Sequence, residues 1–194
     1  LVTGATAGLG MRFAQVLAAC GAKVAITGRR VERLEALAQE IRSNGGICEP
    51  IAMDMTDRDQ VRAGARRVEE VLGTITILVN NAGIPDAQRA VQLEDELFDR
   101  VMDTNLEGPW ILSCEVARRL IEQKLPGRIV NIASIAAFNV GPNSAAALYA
   151  TTKMAVVRMT EALAVEWARF NINVNAIAPG AFSSEMMDGM LERV

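Results

Sequence analysis

Six short apolar runs alternate with five helix-patterned stretches along the 194 residues, and few folds accept that alternation. The strand signals fall at 1–3, 23–27, 47–53, 75–79, 128–133 and 172–177. The helical ones fall at 11–20, 31–42, 57–72, 95–123 and 148–170. Val31, Leu34, Leu37, Ala38 and Ile41 share one face of the second helix, and Val61, Ala65, Val68 and Leu72 one face of the third. Thr56 or Asp57 is placed to cap that third helix. Gly108-Pro109 is the expected bend in the long fourth. A helix between two strands forms a crossover, and crossovers of one hand lay the strands parallel. The expected fold is therefore α/β: a doubly wound, Rossmann-type parallel sheet with helices on both faces, in three layers. A hydrophobic content of 51% suits strands that are covered on both sides. No linker, repeat or low-complexity tract divides the chain, so one domain over 1–194 is expected. It opens inside a strand and stops at Leu191-Glu192-Arg193-Val194 without a closing strand. A longer polypeptide, trimmed at both ends and mainly at the C-terminus, is the expectation.

In such sheets ligands lie beyond the carboxyl ends of the strands. Those ends read 4–10, Gly28-Arg29-Arg30, Asp54-Met55-Thr56, Asn80-Asn81-Ala82-Gly83, Ala133-Ser134 and Ala178-Pro179-Gly180. Small and polar residues dominate all of them. The first, Gly4-Ala5-Thr6-Ala7-Gly8-Leu9-Gly10, has the spacing Gly-x-x-x-Gly-x-Gly between a strand and a helix. Glycines let the backbone turn sharply and approach a pyrophosphate, and the following helix offers unpaired N–H groups and a positive dipole end. A tight turn and nothing more is the plainer reading. An NAD site needs a carboxylate at the end of the second strand to accept from the ribose 2′-hydroxyl. Gly28 stands there instead, followed by two arginines that suit a 2′-phosphate. NADP(H) is therefore expected over NAD(H), with Arg29 the main contact and Arg30 the second. Two solvated arginines opening a helix are the alternative.

The chain has no histidine, so proton transfer must come from elsewhere. Tyr149 and Lys153 are four positions apart and share one face of a helix. A tyrosine ionises near pH ~10, so work near neutrality needs a shift of roughly 3 units, about 4 kcal/mol. A close ammonium in a partly dry site is expected to supply much of it. Alone, the pair reads equally as helix surface.

Taken in order, Thr3-Gly4-x-x-x-Gly8-x-Gly10, Asp54, Asn80-Asn81-Ala82-Gly83, Asn105, Ser134, Tyr149-x-x-x-Lys153 and Pro179-Gly180 resemble the short-chain dehydrogenase/reductase family over almost the whole sequence. The resemblance implies a nicotinamide-dependent oxidoreductase of the shorter, single-domain branch. It implies a catalytic set of Asn105, Ser134, Tyr149 and Lys153. Tyr149 would exchange a proton with the substrate oxygen, and Lys153 would depress its pKa and bind the nicotinamide ribose. Ser134 would orient the substrate, and Asn105 would hold a water that links Lys153 to solvent. Cofactor contacts are implied at Thr3, Gly4, Thr6, Gly8, Leu9, Gly10, Arg29, Arg30, Asp54, Met55, Asn81, Ala82, Gly83, Tyr149, Lys153, Pro179 and Gly180. Substrate contacts fall at Ser134, Ala136, Phe138 and Tyr149. The plainer roles are a turn cap for Ser134, helix caps for Asn105 and Asp54, and backbone partners for Asn80 and Asn81.

The residues around this centre are mainly apolar: Ala136, Phe138, Val140, Met186, Met187 and Met190. They favour a small carbonyl or alcohol substrate with a nonpolar part, such as a 3-oxoacyl thioester. A sugar or polyol substrate is the alternative, and a sensor that binds NADPH without turnover is a third reading. A net charge of −3 gives no basic footprint for nucleic acid. No apolar run approaches the ~20 residues of a bilayer span. Cys20, Cys48 and Cys114 lack metal-ligand spacing and read as small hydrophobes in a reducing cytoplasm. Apolar residues on the last two long helices, such as Ala117, Leu120, Val157 and Leu163, suggest a homodimer or homotetramer.

Overall fold

A computed structural model describes residues 1–86, 88–141 and 145–182. Its strands are β1 (Val2–Thr3), β2 (Lys23–Gly28), β3 (Ile47–Ala52), β4 (Ile77–Asn80), β5 (Gly127–Ile132) and β6 (Ile172–Ile177). Its α-helices are α1 (Gly8–Ala19), α2 (Val31–Ser43), α3 (Arg58–Leu72), α4 (Asp95–Met102), α5 (Gly108–Gln123) and α6 (Ala147–Trp167). The sheet order is β3-β2-β1-β4-β5-β6, with every pair parallel. This is the doubly wound arrangement expected from the alternation. The order reverses between β1 and β4, where Val2 pairs with Val79, and a crevice opens there beyond the strand ends.

Both faces of the sheet are buried over its central strands, while the edge strand β6 is exposed on one face. Val24 and Ile26 face Ala14 and Ala18 of α1 and Leu34, Leu37, Ala38 and Ile41 of α2. Ala25 faces the opposite layer, formed by Val61, Ala65 and Val68 of α3, Leu112, Val116 and Leu120 of α5, and Val156, Met159 and Leu163 of α6. Asp57 caps α3, accepting from the N–H groups of Asp59 and Gln60 at 2.9 and 3.0 Å.

Three expectations change. β4 begins at Ile77 rather than 75, because Ile75 is buried in the core just ahead of the ladder. The long fourth region is not one helix interrupted at Gly108-Pro109. A π-helical turn, Asp103–Glu107, divides it just before that pair, and Pro109 sits in the first turn of α5, where a missing N–H is harmless. The residues offered for subunit contact are covered by their own protomer. Ala117, Leu120 and Leu163 are buried in the core, and Val157 packs against it, because α5 and α6 lie flat on the sheet. The exposed apolar residues of those helices are Trp110, Met154 and Val165. Among the described residues, no helix is long and apolar enough to cross a membrane.

Candidate active site

The strand ends line one cleft of about 940 Å³. Its near end is the glycine loop. Gly4 has φ +65°, and a Cβ there would lie 2.7 Å from the Cα of Ala82. A methyl on Gly10 would collide with the Gly4 carbonyl oxygen and the Asn81 side-chain amide. The loop is thus nested against the turn after β4, where only glycine fits. Asn81 holds it there, its Nδ2 donating to the Thr3 and Gly4 carbonyls at 3.0 and 3.1 Å. Thr3 is wholly buried, and its Oγ1 accepts from the N–H groups of Asn81 and Ala82, both at 3.0 Å. No side chain caps α1 at Ala7, so its first-turn N–H groups face the cleft as an anion-binding end.

Arg29 and Arg30 form the exposed rim above this loop. Arg30 reaches across to it: Nη2 and Nε donate to Thr6 Oγ1 at 2.7 and 3.3 Å. Asp54 lines the next stretch of wall, where Oδ1 accepts from the N–H and hydroxyl of Thr56, both at 3.0 Å. That contact tightens the turn before α3; the cap itself is Asp57. Asn80 lies beneath the cleft, not in it. Its Nδ2 donates to Ser113 Oγ and Asn131 Oδ1 at 2.9 and 2.8 Å, tying α5 to the sheet.

Ser134, Tyr149 and Lys153 close the far end. Ser134 Oγ accepts from the Ala136 N–H at 3.1 Å, so its own hydrogen is free to point into the cleft. It lies near enough to the Tyr149 hydroxyl to favour the ionised phenol. The turn-capping and cleft-facing readings of Ser134 are therefore compatible. Lys153 is 3% exposed, donates from Nζ to the Ile132 carbonyl at 2.7 Å, and lies 5.6 Å from the centre of the Tyr149 ring. Asn105 occupies the π-helical turn. Its Oδ1 accepts from Ile84 N–H at 2.8 Å, and its Nδ2 donates to the Ile84 carbonyl and Thr152 Oγ1 at 2.9 and 3.1 Å.

The electrostatics correct one expectation. Burial pushes the Tyr149 phenol above its ordinary value, the Ser134 hydroxyl pulls it back, and negative Asp86 adds to the rise. Burial lowers the Lys153 ammonium to about 8. Burial thus outweighs the neighbouring groups, and the net shift of the phenol is upward rather than the downward one the sequence suggests, although a charged amine beside it still favours the tyrosinate. At pH 7 the phenol is protonated, while the amine is still about nine-tenths charged.

Most residues expected from the sequence line the cleft. Thr3, Gly10, Asn105, Phe138 and Val140 stand off it: the first three support its walls from behind, and Phe138 and Val140 are exposed beyond its edge. Met186, Met187 and Met190 lie outside the described residues. Sequence reasoning misses Arg12, Ile84, Pro85 and Ala146, which line the cleft, and the buried Asp86 behind it. Ile84-Pro85-Asp86 directly follows the Asn80-Asn81-Ala82-Gly83 run, and that adjacency is the signal to follow.

A doubly wound sheet with a glycine loop at its switch point and a Ser–Tyr–Lys cluster opposite defines a dinucleotide-dependent oxidoreductase. The chain belongs to the short chain dehydrogenase family, whose model matches residues 1–193. It is 36% identical to gluconate 5-dehydrogenase of Gluconobacter oxydans, covering 98% of this chain and 73% of that protein. It is 34% identical to the 3-oxoacyl-acyl-carrier-protein reductase FabG of Aquifex aeolicus, covering 100% and 77%. Among solved structures, a variant of actinorhodin polyketide ketoreductase with NADPH superposes with a TM-score of 0.93 at 35% identity, covering 98% of this chain and 73% of that one.

Proposed function

We propose that this oxidoreductase is an NADP(H)-dependent ketone reductase acting on a neutral carbonyl with an apolar portion, of which a 3-oxoacyl thioester is one. One observation carries the reading. The Ser134 and Tyr149 hydroxyls stand together at one end of a cleft whose other end is a glycine cradle under two arginines.

The residues fit the cofactor. Gly4 and Gly10 let the loop close against the turn after β4, and the uncapped α1 would supply donors to a pyrophosphate. Arg29 and Arg30 would hold the 2′-phosphate, with Thr6 steadying Arg30. Asp54 and Met55 would face the adenine. Asn81, Ala82, Gly83, Pro179 and Gly180 would line the path to the ribose and ring. When bound, the reduced nicotinamide supplies a hydride to the carbonyl carbon. Tyr149 gives its proton to the carbonyl oxygen, and Ser134 donates a hydrogen bond to the same oxygen as charge builds there. Charged Lys153 steadies the tyrosinate left behind. Asn105 keeps the Ile84 loop in place beside them.

The substrate class rests on the far wall. Ile84, Pro85, Ile135, Ala136, Ala146, Ala181 and Phe182 line it, and among the described residues Lys153 is the one cation there. Among the described residues a sugar acid's carboxylate would find Lys153 alone, already donating to the Ile132 carbonyl, and a poorly paired charge is costly in a partly dry site. A homodimer or homotetramer remains our reading of assembly, supported by exposed Trp110, Met154 and Val165 on α5 and α6.

Incubation with NADPH and a panel of a 3-oxoacyl thioester, an apolar ketone, a keto sugar and a keto sugar acid tests the reading. Oxidation with the first two and little with the others is expected. Preferred turnover of the sugar acid overturns the substrate class, and binding of NADPH with no oxidation by any of the four overturns the enzyme reading. Arg29→Asp tests the cofactor. It should lower kcat/KM for NADPH by between about 10- and 100-fold, the loss of one charge-assisted contact, and raise that for NADH. An unchanged ratio of the two cofactors would place the 2′-phosphate elsewhere.

A further inference from the structure

Asp86 is 1% exposed, an unusual place for a carboxylate. It lies in the loop after β4, one residue beyond Pro85 of the cleft wall. Far along the chain, α6 begins without a side-chain cap of its own, since Ala146 stands at the N-cap position. The first-turn N–H groups of Leu148 and Tyr149 donate instead to Asp86 Oδ2, at 2.9 and 3.3 Å, across 62 and 63 residues of sequence. The helix that carries Tyr149 and Lys153 therefore receives its cap from another element. That element is itself fixed, because Asn105 grips both backbone groups of Ile84, two residues earlier. A carboxylate at a helix N-terminus also meets the positive end of the dipole.

We infer that Asp86 is a positioning residue: by capping α6 from the β4 loop, it holds the Tyr149 hydroxyl in register with Ser134. The inference rests on the reading of Tyr149 as proton donor. Asp86 does not line the cleft; it acts through the backbone of Tyr149. A misplacement of about 1 Å at a reacting group can lower a rate ~100-fold, so a lost cap at this turn should be felt in kcat. The carboxylate has a second, electrostatic effect. Among the described residues, the charged groups beside the phenol are Lys153 from its own helix and Asp86 from the β4 loop, with the Ser134 hydroxyl near it from the end of β5. Asp86 opposes ionisation of the phenol, so it keeps the donor loaded between turnovers.

Two variants separate position from charge. Asp86→Ala removes the acceptor and the charge. It is expected to lower kcat for ketone reduction at least about 10-fold while the KM for NADPH stays within about two-fold. Asp86→Asn keeps a carbonyl oxygen for the two N–H groups and removes only the charge. It should retain kcat at pH 7 within about three-fold. Its phenol midpoint should fall, read from tyrosinate ultraviolet absorbance with Tyr149→Phe as the blank. A kcat for Asp86→Ala within two-fold of the parent, or an unmoved phenol midpoint in Asp86→Asn, overturns the inference. If the Ala variant does not fold, the Asn midpoint decides. That titration needs no substrate, so a parent protein inert toward every ketone would sink the reductase reading without touching the measured contact.

Discussion

Tyr149→Phe is expected to reduce ketone turnover by about 10³-fold while NADPH affinity stays within about three-fold. The ring is half-buried between Lys153 and the loop that bears Ser134, and phenylalanine preserves that packing. Only the hydroxyl is lost. Burial keeps this hydroxyl protonated at neutral pH, so it is a loaded acid and not a preformed base. Ser134 would still donate to the carbonyl oxygen, because its other partner, the Ala136 N–H, is unaffected. One donor without a transferable acid should leave a small residual rate. Stopped-flow single-turnover reduction and NADPH titration by fluorescence measure the two quantities separately. A variant that retains more than a tenth of the parent rate would mean that the proton comes from another group, and Lys153 would be the next candidate.

Strand positions and the edge that carries the site are legible in sequence because they are set by local periodicity and by where small residues fall. β2, β3 and β6 lie within one residue of their expected ends, and the glycine loop and both arginines line the cleft as read. What stays hidden is non-local. Asp57 rather than Thr56 caps α3 because of where Gln60 closes the turn, with its amide donating back to Asp57 Oδ2 at 2.9 Å. Apolar Leu120 and Leu163 look the same in sequence whether they face a sheet or a second subunit. The sign of the Tyr149 shift depends on how dry the site is, and spacing in a helix carries no information about that. Asp86 is the strongest case, since nothing near it in sequence announces a hydrogen bond to a helix 62 residues away.

Lys153→Met should abolish most turnover and yet raise the melting temperature by about 5 °C at pH 7. The ammonium is 3% exposed, and burial takes its pKa from 10.5 to about 8. That displacement corresponds to about 3 kcal/mol of folding free energy given up to keep a charge inside the protein. Loss of the hydrogen bond to the Ile132 carbonyl offsets about 1 kcal/mol of the gain. The pH dependence has a definite sign. Below pH 8 the amine is charged in both the folded and the unfolded chain, and the whole penalty is present. Between about 8 and 10.5 the unfolded chain binds more protons than the folded one, so stability rises with pH through that window. Other groups titrate there too, so the quantity to measure is the parent minus the variant by thermal melts across the range. The difference should shrink as pH climbs from 8 and level off above 10.5. A variant that melts lower than the parent at pH 7, with a difference independent of pH, would show that the ammonium is fully compensated by its neighbours. In that case the low pKa, and the picture of a lysine kept at the expense of stability for its work beside Tyr149, would both be wrong.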